Sequence, residues 1–391
     1  MTDRKPPEVG TPAGMRALNQ RAVLDRLRVL GAATRPQIAK DTGLSKPTVG
    51  QALVDLERDG LVRPIGRTSA GPGRSAVVYE PDPSAGYVLG IDIGRQRIRA
   101  AVADLAGAVV ARVDERNRCR SAGALVRLVS ELVGRTVSDA GLTLADVVVK
   151  VVGTPGVPRG RTVHHAPNLP GWERTGLLGD LEAALGTGLV VENDANLAAI
   201  GEYASGAARD ARVAVCITVG TGVGMGIVVN GELFRGANGA AGEISYLPFG
   251  QSTEDVQRGQ FEDAAAAESV VSLAQLHGVP ARSAREVFDL AREGDSRALA
   301  AVGEEAARLA FLVAAVTAVV DPELVVLGGG IGGNVDLMRE PMEAVLRRTT
   351  PLVPRIVPGE LGDGAVLTGA IAVGLESARE LVFHRRGAVT L

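Results

Sequence analysis

Three glycine-rich stretches stand out in the chain: Gly90 to Gly94, Gly220 to Gly226 and Gly328 to Gly332. Turns of this kind aim successive backbone N–H groups at one point and can cradle a phosphate, although a plain hairpin uses glycine too. Metal chemistry has little to draw on. His164, His165, His277 and His384 are the only histidines, and Cys119 and Cys216 the only cysteines, too few for a disulfide framework or a multi-cysteine site. A different chemistry gathers near the N-terminus. Ser45, Lys46, Pro47, Thr48 and Gln51 sit at the start of a helical stretch, and Arg67 and Arg74 fall in the glycine-rich loop beyond it. Amide and guanidinium groups so placed suit hydrogen bonds to base edges and to phosphates.

The elements that must position this second group follow from periodicity. Leu24, Leu27 and Leu30 recur at helical spacing and Gly31 stops them. Thr34 is an N-cap, Gln37 closes a capping box, and Ile38 and Ala39 give the short helix its apolar face. Gly43 makes the turn. Ser45 caps a third helix with Val49, Leu53 and Leu56 inward, and Gly60 ends it. Two short helices around a tight glycine turn make a helix-turn-helix. Strands over Leu61–Ile65 and Ala76–Tyr79 with the intervening loop add a wing. Residues 1–80 are thus expected to be a winged helix-turn-helix. Its third helix enters the major groove of double-stranded DNA, with Gln51 at a base edge and Lys46 at phosphate. Arg67 or Arg74 reaches the minor groove or its phosphates. A three-helix head with a hairpin can also serve protein contacts, but charge favours nucleic acid. Residues 1–84 carry 13 Lys+Arg against 9 Asp+Glu, whereas the whole chain has 42 against 45. Residues 81–86, beginning with Pro81, read as a linker.

From Tyr87 the texture changes. Strand signals YVLGIDIG, IRAAVADLAG and VVARVD form a meander, followed by a helix over Ala124–Ala140 and a strand over Val147–Val152. Leu189–Glu192 is a strand running into the helical stretch NDANLAAIGEYASG. The pattern then restarts. Val213–Val219 and Ile227–Val229 flank the GTGVGMG turn, and Asn230-Gly231 signals a type I′ hairpin. A buried helix over Arg297–Val320, the strand LVVLGGGIGGN and a late helix over Val366–Arg379 follow. Two halves that each open with a glycine-turn hairpin predict an α/β, two-lobed, actin-like (ribonuclease H-like) body over 87–391. The first lobe takes about 87–205 plus the C-terminal helix, and the second about 206–370.

At roughly 150 residues per domain, 391 residues fit two or three domains. With 46% hydrophobic and 22% charged residues, the chain can bury a substantial core. The longest apolar run, Leu309–Val320 interrupted by Thr317, falls short of the ~20 residues that span a bilayer. MTDRKPPEVG has no apolar leader segment. A soluble, cytoplasmic protein without membrane partners is expected.

GIDIG at 90–94, APNLPGW at 166–172, ENDAN at 192–196, TVGTGVGMG at 218–226, GANGAAGEIS at 236–245 and VLGGGIG at 326–332 occur in this order. With them the chain resembles the ROK family of repressors, open-reading-frame proteins and sugar kinases over nearly its whole length. The appended head is similar to that of the repressor branch. The resemblance implies that Asn168, Asn193, Asp194, Glu243 and Glu262 are sugar contacts. Such acceptors and amides suit a ring of hydroxyls, because each buried hydroxyl needs a partner. It further implies that Asp194 stands where the kinases keep their general base, though a carboxylate before a helix is also a natural cap. Asp92, Gly94, Gly220, Thr221, Gly222, Gly224, Gly328 and Gly329 correspond to nucleotide and phosphate loops.

Two departures from the kinase pattern bear on activity. The first phosphate loop of the kinases runs Asp-x-Gly-Gly-Thr-Lys, whereas here it reads Asp92-Ile93-Gly94-Arg95-Gln96-Arg97. A long side chain replaces backbone, so these loops are read as vestigial and no catalytic residue is expected. Family members also commonly hold zinc on a His after the GEI glutamate and three Cys within the next ~20 residues. Here Tyr246 replaces that His and the thiols are missing, so neither zinc nor another cofactor is expected. Tyr246 is left to meet the sugar through its hydroxyl. The resulting expectation is a transcriptional regulator, most simply a repressor, working as a homodimer or tetramer on operator DNA and sensing a sugar or sugar phosphate. An active sugar kinase with a DNA-binding head, and a DNA-binding protein whose body is only a scaffold, are the alternatives.

Overall fold

The computed structural model describes residues 11–69, 75–166, 169–250 and 259–386. Arg74 and Asn168 lie outside these residues. The head consists of α1 (Pro12–Leu30), β1 (Ala33–Thr34), α2 (Arg35–Thr42), α3 (Lys46–Arg58), β2 (Val62–Ser69) and β3 (Ser75–Pro81). Its caps are those expected from the sequence. The Thr34 N–H donates to Gln37 Oε1 at 2.8 Å, and the Thr48 N–H donates to Ser45 Oγ at 3.2 Å. Val23, Leu24, Leu27, Ile38, Val49, Leu53 and Leu56 close the head's core. β2 and β3 pair as the wing, and β1 adds a third strand. The head is thus three helices followed by an antiparallel strand pair.

The first lobe contains β4 (Tyr87–Ile93), β5 (Arg97–Asp104), β6 (Val109–Arg116), α4 (Ala122–Asp139), β7 (Val147–Thr154), β8 (Val157–Arg159), β9 (Thr162–His164), α5 (Leu177–Leu185), β10 (Leu189–Asn193) and α6 (Asp194–Ser205). The second contains β11 (Val213–Val219), β12 (Val223–Val229), β13 (Glu232–Leu233), α7 (Gln260–Ala265), α8 (Ala267–Leu276), α9 (Ala284–Arg292), α10 (Ser296–Val320), β14 (Leu324–Gly328), α11 (Gly329–Gly332), α12 (Val335–Thr349) and β15 (Arg355–Pro358). α13 (Ala365–Arg386) returns to the first lobe.

The internal repeat is a topological one. One sheet runs β6-β5-β4-β7-β10 and the other β13-β12-β11-β14-β15. In each, three consecutive antiparallel strands are extended by two parallel ones. One face of the first sheet packs on α4 and α5, and one face of the second on the α8–α10 and α12 layer. The opposite faces are covered by α13 and α6, which cross each other. That crossing requires glycine on both helices. A Cβ on Gly369 would collide with the Leu197 carbonyl, and one on Gly201 with the Ala365 carbonyl.

Two expectations change, at the glycines of 220–226 and of 328–332. Only Gly220–Gly222 make the turn, and Val223–Gly226 already belong to β12. Glycine recurs there because α6 lies on the strand. A Cβ on Gly226 would come within 2.7 Å of the Ala195 carbonyl, and one on Gly224 within 2.8 Å of the Ala195 Cβ. Similarly, the stretch after Gly328 leaves the sheet and coils into α11. The hairpin at Asn230-Gly231 does have both residues at positive φ, +52° and +84°, as type I′ demands.

The linker is pinned on both sides. The Asp82 N–H donates to the Leu61 carbonyl of the head, and the Leu105 N–H of the body donates to the Pro83 carbonyl, both at 3.0 Å. Val382 and Phe383 of α13 belong to the head's core. Among the described residues no helix is long and apolar enough to cross a membrane.

Candidate functional site

Between the lobes lies a cleft of about 240 Å³ lined from both sides. The first lobe contributes Gly94, Arg95, Gly156, His165, Asn193 and Asp194, and the second the Gly220–Gly222 turn with the start of β12, Glu243, Ser245, Glu262 and Gly329. Asp194 is placed by the end of β10. Asn193 caps α6, its Oδ1 accepting from the Asn196 N–H at 3.1 Å, while its Nδ2 donates to the Gly156 carbonyl at 3.0 Å. The cap is therefore Asn193 rather than Asp194. The Asp194 carboxylate accepts from the Ala195 N–H at 2.8 Å and lines the cleft.

Three carboxyl groups meet here. Burial, then the Asp92 charge, pushes Asp194 up to about 6. Burial, then Asp194 and Glu262, pushes Glu243 up to about 7. Close carboxylates in a partly dry site resist joint ionisation, and groups donating hydrogen bonds relieve the strain. Hydroxyls of a bound polyol are such donors. Glu262 differs from the other two. It is buried, and its Oε2 accepts the Val223 N–H at 3.0 Å, so it braces the turn as well as lining the cleft. Tyr246 is half exposed, with its ring edge-on to His165 at 5.5 Å between centroids.

The glycine-turn end of the cleft is occupied by the chain's own bonds. The Gly94 N–H donates to the Arg97 carbonyl and the Gly220 N–H to the Gly222 carbonyl, both at 2.9 Å. Asp92 is buried against Arg99, whose Nη1 donates to it at 2.9 Å and whose Nη2 donates to Asp363 at 3.2 Å. Burial still outweighs Arg99 and raises the Asp92 pKa. Arg95 lies 3.9 Å from Glu268 of the opposite lobe. Among the described residues, no three His, Cys, Asp or Glu side chains are grouped as a metal-ligand set.

Roles in and around the site were missed from sequence at three residues, of which His165 lines the cleft. Glu192 is buried, accepts from Asn196 Nδ2 at 2.9 Å, and accepts from Arg235 Nε across the lobes at 2.9 Å. It stands inside the ENDAN stretch, which was its available signal. His165, held at φ +58°, lines the cleft. Trp172 is fully buried and its Nε1 donates to Thr154 Oγ1 at 2.6 Å.

In the head, Lys46, Pro47 and Gln51 are exposed along the first turns of α3, and Arg67 is exposed on β2. Gln51 Nε2 donates to Asp55 at 3.1 Å. Asp55 is itself buried, accepting also from Gln20 Nε2 at 3.3 Å. Ser45 serves as the cap and bonds Thr48 Oγ1 at 2.8 Å.

Fold and cleft together define a two-lobed, sugar-kinase-like body carrying a separate N-terminal head. The chain belongs to the ROK family, with residues 88–376 matching it. It is 30% identical over 296 residues to a glucokinase of Halalkalibacterium halodurans, covering 70% of this chain and 88% of that protein. It is 25% identical over 388 residues to a xylose repressor of Caldicellulosiruptor bescii, covering 93% and 97%. Among solved structures, a ROK family glucokinase from Streptomyces griseus in complex with glucose and AMPPNP superposes with a TM-score of 0.64, 27% identity and coverage of 74% and 99%. A ROK family transcriptional regulator described as a homolog of the E. coli MLC protein superposes with 0.76, 19% identity and coverage of 95% and 99%.

Proposed function

We propose that the protein is a DNA-binding transcriptional regulator, a repressor, whose operator affinity is set by a sugar or sugar derivative held in the interlobe cleft. The observation that carries this reading is the capped α3, with Lys46, Pro47 and Gln51 exposed along it. The likeness to xylose repressors over nearly the whole chain supports it, whereas the glucokinase match covers 70%. A ligand contacting Asp194 and Glu243 would tie the lobes, and α6, which begins at Asp194, crosses the α13 that enters the head's core. To act as a switch, the ligand must bind one head arrangement more tightly than the other. A homodimer or tetramer is part of the proposal, because paired heads read paired half-sites. Phe311, Ala315 and Val319, exposed at i, i+4, i+8 on α10, offer an apolar face for such a contact.

The test is selection of DNA from a random library by the full-length protein, followed by gel-shift titration. Enriched inverted repeats, bound less tightly by Gln51→Ala, are expected. Recovery of unenriched DNA would remove the reading.

Sugar phosphorylation is the second reading, and the Asp194 carboxyl, poised near 6, favours it as a general base. The Arg99 pairing of Asp92 and the Arg95-Gln96 substitution weigh against it.

A further inference from the structure

Gly50 lies inside α3, one helical turn past Lys46 and Pro47 and on the face that carries them. Glycine weakens a helix interior. The backbone does not ask for it, because Gly50 is not among the residues with positive φ. The reason lies on α2. A Cβ on Gly50 would stand 3.0 Å from Arg35 Nη1 and 3.4 Å from Arg35 Cδ. The arginine at the start of α2 therefore lies over bare α3 backbone, in the place that a side chain at position 50 would take.

Arg35 also differs from most arginines of the head. Arg16, Arg21, Arg26, Arg28, Arg58 and Arg63 each have a carboxylate within 3.9 Å. Arg35 and Arg67 are exposed and have no carboxylate within ion-pair distance among the described residues. Nor is an acid at hand in the sequence around the contact. From Gly31 to Val54 the only one is Asp41, which Arg26 engages at 2.8 Å. The next, Asp55, is buried and accepts from Gln20 and Gln51. The Arg35 side chain is thus placed by packing on a glycine, and together with Lys46 it gives this face of α3 a positive charge that the head does not balance.

We propose that Arg35 is a further DNA contact, a guanidinium carried by α2 across the face of α3 to a backbone phosphate, and that Gly50 is the positioning residue that leaves room for it. The proposal rests on the DNA-binding reading and adds to it a contact and the residue that positions it. When the second helix of such a pair enters the major groove, the first crosses the sugar-phosphate backbone. A cation at the start of α2 then meets phosphate, which a guanidinium matches with two parallel hydrogen bonds.

The experiment is a salt titration of binding by the full chain to a random-sequence duplex of about 30 base pairs and to the DNA recovered by selection. Arg35→Ala should weaken both by roughly tenfold. It should also flatten the slope of log affinity against log salt by about 0.9, the share of one phosphate. Arg35→Lys should restore most of that slope, because counterion release follows charge. Base preference should stay that of the wild type. Gly50→Ala should be no less heat-stable, since alanine is the better helix former, yet bind DNA more weakly. Added to Arg35→Ala it should cost nothing further, a coupling that the double-mutant cycle isolates. Circular dichroism confirms that each variant is folded. An unchanged slope in Arg35→Ala, or a loss confined to one sequence, overturns the phosphate contact. A Gly50→Ala penalty of equal size in both backgrounds, or none in either, overturns the positioning role. A wild-type chain that binds neither duplex overturns the DNA reading and this contact together, whereas failure of the Arg35 test alone leaves that reading standing.

Discussion

Arg21 of the head grips Glu380 of the C-terminal helix with two hydrogen bonds, Nη1 at 2.7 Å and Nη2 at 2.5 Å, and its guanidinium also lies 5.5 Å from the Phe383 ring. The pair joins residues 359 positions apart and places the head on the helix that crosses α6. Both side chains are more than a third exposed, so screening limits the pair to about 1 kcal/mol or less. Glu380→Ala should leave sugar affinity unchanged and shrink the change in operator affinity that sugar produces. Gel-shift titration with and without the ligand measures both, and an undiminished response would mean coupling runs elsewhere.

Asp194→Ala and Glu243→Ala should each weaken sugar binding by roughly 10- to 100-fold, since hydrogen bonds to charged acceptors contribute ~1.5–3 kcal/mol. DNA binding without ligand should be unaffected, giving a regulator held in its sugar-free state. Calorimetry with a sugar found by thermal-shift screening decides the matter. Unchanged affinity in both would leave the cleft without its assigned ligand.

The raised acids make stability depend on pH. Glu243 titrates at about 7 when folded against 4.5 for the free side chain. The folded state therefore binds its proton more tightly, and stability falls as pH rises from about 4.5 through about 7. Glu243→Gln removes that cost. It should stabilise the ligand-free protein by roughly 1–3 kcal/mol near pH 8 and by little near pH 4. Urea unfolding at both pH values reports it, and an equal effect at both would refute the buried charge.

A coupled assay with several hexoses should show no ATP-dependent phosphorylation. Turnover on the order of 1–100 per second, abolished by Asp194→Asn, would instead make the protein a sugar kinase.

What could be read from sequence was local. Thr34, Ser45 and Gly43 announce the head because a cap or turn needs only its neighbours, and Val213–Val219 is a strand from end to end as its pattern implies. The strand character of Val223–Gly226 was hidden. Glycine there signals a turn, while the reason for it is α6 pressing on the backbone. Arg99 with Asp92, Arg235 with Glu192 and Arg21 with Glu380 were equally out of reach. Each pair depends on register or on packing between distant segments.

The Arg99–Asp92 pair carries a consequence for what the cleft would report. A site that closes only with nucleotide bound responds to two concentrations together, sugar and nucleotide. Here the countercharge is built into β5, seven residues from the acid it balances. On the proposed reading, sugar occupancy is therefore independent of the energy state of the cell. On that same reading the chain would answer a single question, how much sugar is present, alike in starved and growing cells.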